Sequence, residues 1–114
     1  MNTIEATVKT ENGGKYVRQL CKHWSHKLET QVDGDVGTVT FPNAVCTMAA
    51  DGESIAITIT GEEREAVQRL TDVVATHIDR FAFREAPLEY NWTWRKLKSG
   101  RAERRFRSLP AGGR

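Results

Sequence analysis

Four short segments between residues 29 and 59 are predicted strands, and turn sequences separate them. Apolar and polar side chains alternate clearly in two of the four, the segment that ends at Phe41 and the run of Ile55, Ile57 and Ile59. The segments are Glu29 to Asp33, Gly37 to Phe41, Ala44 to Ala50 and the run that contains Ile55, Ile57 and Ile59. The separating sequences, Asp33-Gly34-Asp35, Pro42-Asn43 and Asp51-Gly52, consist of residues that tight turns prefer. Because alternation is typical of half-buried strands and such short connections join antiparallel neighbours, this stretch predicts an antiparallel meander.

Two helices are predicted, one on each side of the meander in the sequence. The first runs from Lys15 to Leu28, and its apolar stripe consists of Val17, Leu20, Cys21, Trp24 and Leu28. The second begins after a capping-box pair, Thr60 and Glu63, and reaches about Phe81 or Phe83. Because each helix has one apolar stripe, we expect both to pack on the same face of the sheet.

One further strand is predicted near each end of the domain. The apolar residues that alternate are Ile4, Ala6 and Val8 in the first strand and Tyr90, Trp92 and Trp94 in the last. Alternation alone leaves open which sheet face the two tryptophans occupy. The predicted fold class is α+β, with an antiparallel sheet of about five to six strands in β-α-β-β-β-β-α-β order and two helices on one face.

The charge is distributed unevenly along the chain. Of its 17 Lys or Arg and 15 Asp or Glu residues, residues 95–114 contain eight and one, which leaves a net negative charge on residues 1–94. We therefore divide the chain into a single domain, residues 1–94, and a basic, flexible tail, residues 95–114. The tail is a candidate for nucleic-acid binding through phosphates, by Arg95, Lys96, Lys98, Arg101, Arg104, Arg105 and Arg107. The alternative is a solubilising extension.

The composition and the start of the sequence predict a cytoplasmic protein. The chain is 39% hydrophobic and 28% charged, as in ordinary globular proteins. It has no apolar run long enough to span a membrane, and its start lacks the regions of a signal peptide. We therefore expect both cysteines to remain reduced.

Three segments, in the same order, resemble the bacterial domain of unknown function family 2218. They are YVRQLCKHWSHK, GTVTFPNAVCTMAAD and DVVATHIDRFAFRE, and the resemblance covers roughly residues 3–94. It implies a small cytoplasmic domain without assigned activity. Because related domains are joined to siderophore-interacting, flavin-dependent ferric reductases, it also implies a link to siderophore or iron metabolism, with such a reductase as a partner.

The stretch from Arg18 to Lys27 contains the densest group of chemically able side chains. On a helix, His23, His26 and Lys27 lie away from the apolar stripe, and with Arg84 they form a candidate surface for an acidic partner or an anionic ligand. Most such faces are only solvated. We also expect Arg84 and Glu85 to form an ion pair. This surface makes a non-catalytic binding or accessory domain the leading hypothesis.

Cys21, Cys46 and His77 are the candidate metal ligands, because sulfur and imidazole suit Zn²⁺ and iron. The set lacks a fourth ligand. In the alternative interpretation the cysteines are small core hydrophobes and the histidine is hydrogen-bonded to the backbone, so that no cofactor is expected. A metal- or thiol-dependent enzyme that uses these three residues is the competing hypothesis from another functional class, and no catalytic residue is assigned.

Overall fold

The computed structural model describes residues 1–95. In this part of the chain the elements are β1 (Asn2–Lys9), α1 (Gly13–Trp24), β2 (Glu29–Asp33), β3 (Val36–Phe41), β4 (Ala44–Ala50), β5 (Ser54–Gly61), α2 (Arg64–Phe81) and β6 (Thr93–Trp94). They form one sheet in the order β2-β3-β4-β5-β1-β6, and all neighbours in it are antiparallel. The predicted α+β class and element order are confirmed. Neither helix in residues 1–95 is long and apolar enough to cross a membrane.

The core lies between one face of the sheet and the two helices. Alternation in β1 and β5 buries the isoleucine and valine side chains on this face, so that Ile4 pairs with Ile59 and Val8 with Ile55. Helix α1 covers mainly β2 to β4, and α2 covers β5 and β1. The two helices therefore lie side by side on the same face, as predicted, and they contact each other above the middle of the sheet.

Helix α1 is shorter than predicted. It ends at Trp24, and the residues up to Leu28 form turns in which the amides of Lys27 and Leu28 both donate to the Trp24 carbonyl. The Ser25 hydroxyl donates to the Lys22 carbonyl at 2.7 Å, a local bond that competes with helix continuation. His26 and Lys27 therefore lie in a turn, where helical periodicity does not fix their directions.

The predicted capping box of α2 is wrong. Thr60 belongs to β5, where its Oγ1 lies 3.0 Å from Oγ1 of Thr3 on β1. The N-cap of α2 is Glu63, whose side chain makes no capping hydrogen bond. Glu65 does lie in the first helical turn, where its negative charge interacts favourably with the helix dipole.

The last strand is shorter than the aromatic alternation predicted. Within the described part of this last segment, the residues that pair with β1 are Thr93 and Trp94, opposite Glu5 and Ile4. The Tyr90 hydroxyl instead bonds to α2, at 2.8 Å from Oδ1 of Asp79, which directs this segment toward the helix before it joins the sheet. Because Ile4 faces the core, Trp94 opposite it also lies on the helix-covered face, and Trp92 likewise packs against the core.

Candidate ligand-binding site

The two helices run antiparallel, so that the start of α1 lies beside the end of α2. At this end the Tyr16 hydroxyl donates a hydrogen bond to Glu85, and at the other end the Trp24 ring lies 5.0 Å from the His77 ring. A cleft of about 360 Å³ opens beside Tyr16, and we call it the helix-end cleft. It is lined by Asn12, Lys15, Tyr16, Phe81, Phe83, Arg84 and Glu85.

The carboxylate of Glu85 is the best-connected polar group of this cleft. Besides the Tyr16 hydroxyl, it accepts bonds from Thr10 Oγ1 at 2.9 and 3.0 Å and from Asn12 Nδ2 at 3.1 Å. These bonds, that from Tyr16 above all, hold the pKa of Glu85 below its usual value. The same bond and burial raise the pKa of Tyr16. At neutral pH the site therefore contains a carboxylate and a neutral phenol.

The predicted ion pair between Arg84 and Glu85 is wrong, because Glu85 faces the β1–α1 loop instead. The Arg84 guanidinium lies 5.7 Å from the centroid of the Phe83 ring, and 70% of Phe83 is exposed. Within residues 1–95 the ion pairs are Arg18 with Asp35 at 2.6 Å and Arg95 with Glu5 at 2.8 Å. The charge of Arg84 and the neighbouring Phe83 ring therefore both line the helix-end cleft.

The exposed side of α1 and its following turn is rich in basic side chains, of which Arg18 is paired with Asp35. Residues 13–28 contain four Lys or Arg and no Asp or Glu. Lys15 lines the helix-end cleft, whereas the exposed His26 and Lys27 follow the other end of the helix, which lies about 14 Å from Lys15 along the helix axis. The structure therefore does not place Arg84 beside His26 and Lys27. The predicted surface is divided, and its Arg84 part joins Lys15.

Of the three candidate metal ligands, Cys21 and Cys46 lie near each other in the core, whereas the His77 ring is held by its own helix. Cys21 and Cys46 are buried in the core, and burial raises both thiol pKa values, that of Cys46 to about 12. His77 is half-buried between the helices, and its Nδ1 lies 2.7 Å from the Val73 carbonyl, the backbone bond of the alternative interpretation. Among the described residues, no group of three or more His, Cys, Asp or Glu is arranged to hold a metal ion.

Sequence reasoning missed the Glu85 cluster. Thr10 and Asn12 follow β1, and Tyr16 occupies the first turn of α1 next to the predicted stripe, so no local pattern connects them to a residue beyond α2. The available signal was topological. Two helices of a chain that cross one sheet face in opposite directions bring the start of one beside the end of the other, which places Glu85 near Asn12.

Of the basic tail candidates, Arg95 lies in the described part of the chain. Its backbone amide donates to the Thr3 carbonyl at 2.7 Å, and its guanidinium pairs with Glu5, so Arg95 extends the edge of the sheet. The other six candidates lie outside the described residues: Lys96, Lys98, Arg101, Arg104, Arg105 and Arg107.

Comparison with known proteins gives one family and one solved structure. Residues 5–93 match a family model described as an uncharacterized protein conserved in bacteria, DUF2218. The NMR structure of PA4090 from Pseudomonas aeruginosa is similar, with a TM-score of 0.68 and 27% sequence identity over 83% of this chain and 96% of that chain. No curated protein matches the sequence. The matched residues span most of the part of the chain that the structure describes.

Proposed function

This chain belongs to the bacterial family DUF2218, as its sequence resemblance indicated, and we propose that it is a non-catalytic binding domain for an anionic, aromatic ligand. The observation that carries the proposal is the helix-end cleft. There Lys15 and Arg84 flank the exposed ring of Phe83 and the half-buried ring of Phe81. A planar anion satisfies both features at once, by ring contact with the phenylalanines and charge contact with the two cations.

The protonation states of the nearby groups favour binding over catalysis. A general acid or base works best with a pKa near the operating pH, yet the pKa of Glu85 is lowered and that of Tyr16 is raised. A nucleophilic cysteine requires a lowered pKa, and burial raises the pKa of both thiols. These groups therefore support a structural role around the cleft, with Glu85 holding the β1–α1 loop against the end of α2.

The finer proposal is that the ligand belongs to siderophore or iron handling and that a siderophore-interacting reductase is the physiological partner. It is supported by the family resemblance and by the chemistry of the cleft. Catecholate groups of siderophores are aromatic and, when they bind ferric iron, anionic. They thus combine the properties that Phe83, Lys15 and Arg84 would recognise.

A titration with 2,3-dihydroxybenzoate, free and as its ferric complex, tests this proposal. We expect amide shifts in the NMR spectrum at residues 12–16 and 81–85, and weaker shifts with pyrophosphate, which has charge but no ring. Lys15→Ala and Arg84→Ala should each weaken binding by about fivefold, corresponding to about 1 kcal/mol. Arg69→Ala, which removes an exposed cation from a different groove, is the matched control and should bind as the wild type does. Equal binding by the Lys15/Arg84 double variant would refute the proposed site.

Association with nucleic acid through the tail is a second candidate function. It is favoured by the eight basic residues and one acidic residue in residues 95–114. Because Arg95 is bound to Glu5 and Thr3, the informative deletion begins at residue 96 and leaves the sheet edge intact. We expect the full chain to bind duplex DNA at low salt with a steep salt dependence and the deleted chain to lose this binding. Unchanged binding by the deleted chain would exclude the tail as the contact.

A further inference from the structure

Two imidazoles meet on the exposed side of the helix pair. The centroids of the His23 ring on α1 and the His77 ring on α2 are 5.5 Å apart, with the ring planes inclined by 46°. His23 is exposed and His77 is half-buried, so one side of the pair is open to water. The pair lies nearer the C-terminal end of α1 than the helix-end cleft does, and the Phe81 ring, 6.0 Å from the His23 ring, separates the pair from the cleft that Phe81 lines.

The separation of the rings fits a shared metal ion. Zn²⁺ binds imidazole nitrogens at about 2.0–2.1 Å, and a tetrahedral angle at the metal then places two ring centroids about 5 Å apart. The value for His23 and His77 is close to this distance. The two rings belong to different helices, so an ion bound by both would connect α1 to α2.

Hydrogen bonding also leaves the required nitrogen available. The Nδ1 atom of His77 lies 2.7 Å from the Val73 carbonyl, which can only accept, so Nδ1 is the donor and Nε2 is the nitrogen available to a metal. Metal-binding histidines usually donate their second nitrogen in this way, which fixes the ring orientation. Within residues 1–95 the His23 ring makes no hydrogen bond that would compete with a metal.

From these observations we propose that His23 and His77 form a two-histidine site for a divalent transition metal, with water as the remaining ligands. Imidazole ligands suit Zn²⁺ and Cu²⁺, and the general affinity order places Cu²⁺ first. Metal binding would connect α1 to α2 near the C-terminal end of α1, whereas the Tyr16–Glu85 hydrogen bond connects the start of α1 to the segment after α2. It differs from the Cys21, Cys46 and His77 set predicted from the sequence, because its second ligand is the exposed His23.

Titration of tag-free protein with CuCl₂, followed by tryptophan fluorescence, tests this site. The Trp24 ring lies 5.0 Å from the His77 ring, so paramagnetic Cu²⁺ bound there should quench Trp24, with saturation at one ion per chain. Calorimetry with ZnCl₂ should give the same stoichiometry. His23→Ala and His77→Ala should each weaken binding by at least about tenfold, since even substitutions outside the ligand shell cost about that much.

His26→Ala is the matched control, because His26 is exposed and lies in the turn beyond α1. It should bind Cu²⁺ with the wild-type affinity. His23→Ala should fold normally because the ring is on the surface, and a thermal unfolding curve without metal checks this. The site is refuted if His23→Ala retains wild-type binding, or if His26→Ala loses as much affinity as His77→Ala.

Discussion

The hydroxyl of Tyr16 and the carboxylate of Glu85 are hydrogen-bonded to each other although they lie 69 positions apart in the sequence. The bond joins the first turn of α1 to the segment that follows α2. It lowers the pKa of Glu85 and raises the pKa of Tyr16, because it stabilises the ionised carboxylate and the neutral phenol. One contact thus connects the start of α1 to the segment after α2 and strengthens the preference of each group for its neutral-pH protonation state.

Removal of the Tyr16 hydroxyl should destabilise the protein without changing its fold. Tyr16→Phe keeps the buried ring and deletes one bond to a charged acceptor, so we expect the free energy of unfolding to fall by about 1–2 kcal/mol. Urea denaturation followed by circular dichroism measures this, with an unchanged slope showing that the same surface is exposed on unfolding. An unchanged midpoint would mean that the bond contributes nothing net.

Glu85 should make the stability of the protein depend on pH in the acid range. Because its folded pKa is lowered below the ordinary value of 4.5, its contribution is present above about pH 4.5 and is lost as the pH falls through the folded pKa. Glu85→Gln should therefore be less stable than the wild type at pH 7 and show a smaller further loss between pH 4.5 and pH 3.

Unfolding curves across this range measure the effect, and Glu89→Gln, a change at an exposed carboxylate nearby, is the control. Part of the acid dependence should persist in Glu85→Gln because the pKa of Asp51 is also lowered, by bonds from the backbone amides of Glu53 and Ser54. Identical acid dependence in Glu85→Gln and the wild type would contradict the role assigned to Glu85.

Local sequence patterns predicted the sheet well because each strand was bounded by residues with a specific turn chemistry. Strands β2 and β4 have the predicted bounds, and Gly34 and Gly52 adopt the positive φ values that their turns require. The end of α1 was wrong because Ser25 and the turn that follows respond to the reversal into β2, a constraint absent from helical periodicity.

The contacts of the site were less predictable than the strands, because they also depend on tertiary constraints that local sequence patterns do not contain. His23 and His77 were each identified, but periodicity on one helix says nothing about which side chain of another helix comes within 5.5 Å. Glu85 was assigned to its sequence neighbour Arg84, whereas the fold offered three hydroxyl or amide donors from the β1–α1 region. Contacts between elements depend on how the helices are placed on the sheet.

Both thiols should be unreactive in the folded protein. Cys21 and Cys46 are 1% and 0% exposed, and their raised pKa values keep them protonated at neutral pH. We expect Ellman's reagent to modify neither cysteine over minutes under native conditions and both after denaturation in guanidinium chloride. Rapid modification of Cys21 in the native protein would instead revive the thiol-dependent hypothesis.

A methyl group at Gly37 should disrupt the packing of α1 on β3. A Cβ at this position would lie 2.5 Å from Cys21 Sγ and 2.8 Å from a methyl carbon of Val17, both closer than van der Waals contact. Gly37→Ala would gain about 0.5–1 kcal/mol from reduced backbone entropy, whereas overpacking costs about 1–3 kcal/mol. We therefore expect a net loss of stability, measured by urea denaturation.

A double-mutant cycle identifies the cause of that loss. Cys21→Ala removes the sulfur that the new methyl group would meet, so the double variant should be less destabilised than the sum of the two single variants. Relief should be partial because Val17 remains in place. Val74→Ala in α2, which packs mainly on β1 and β5, is the control partner and should combine additively with Gly37→Ala. Additivity with Cys21→Ala as well would place the cost of Gly37→Ala elsewhere than at the close approach of α1 to β3.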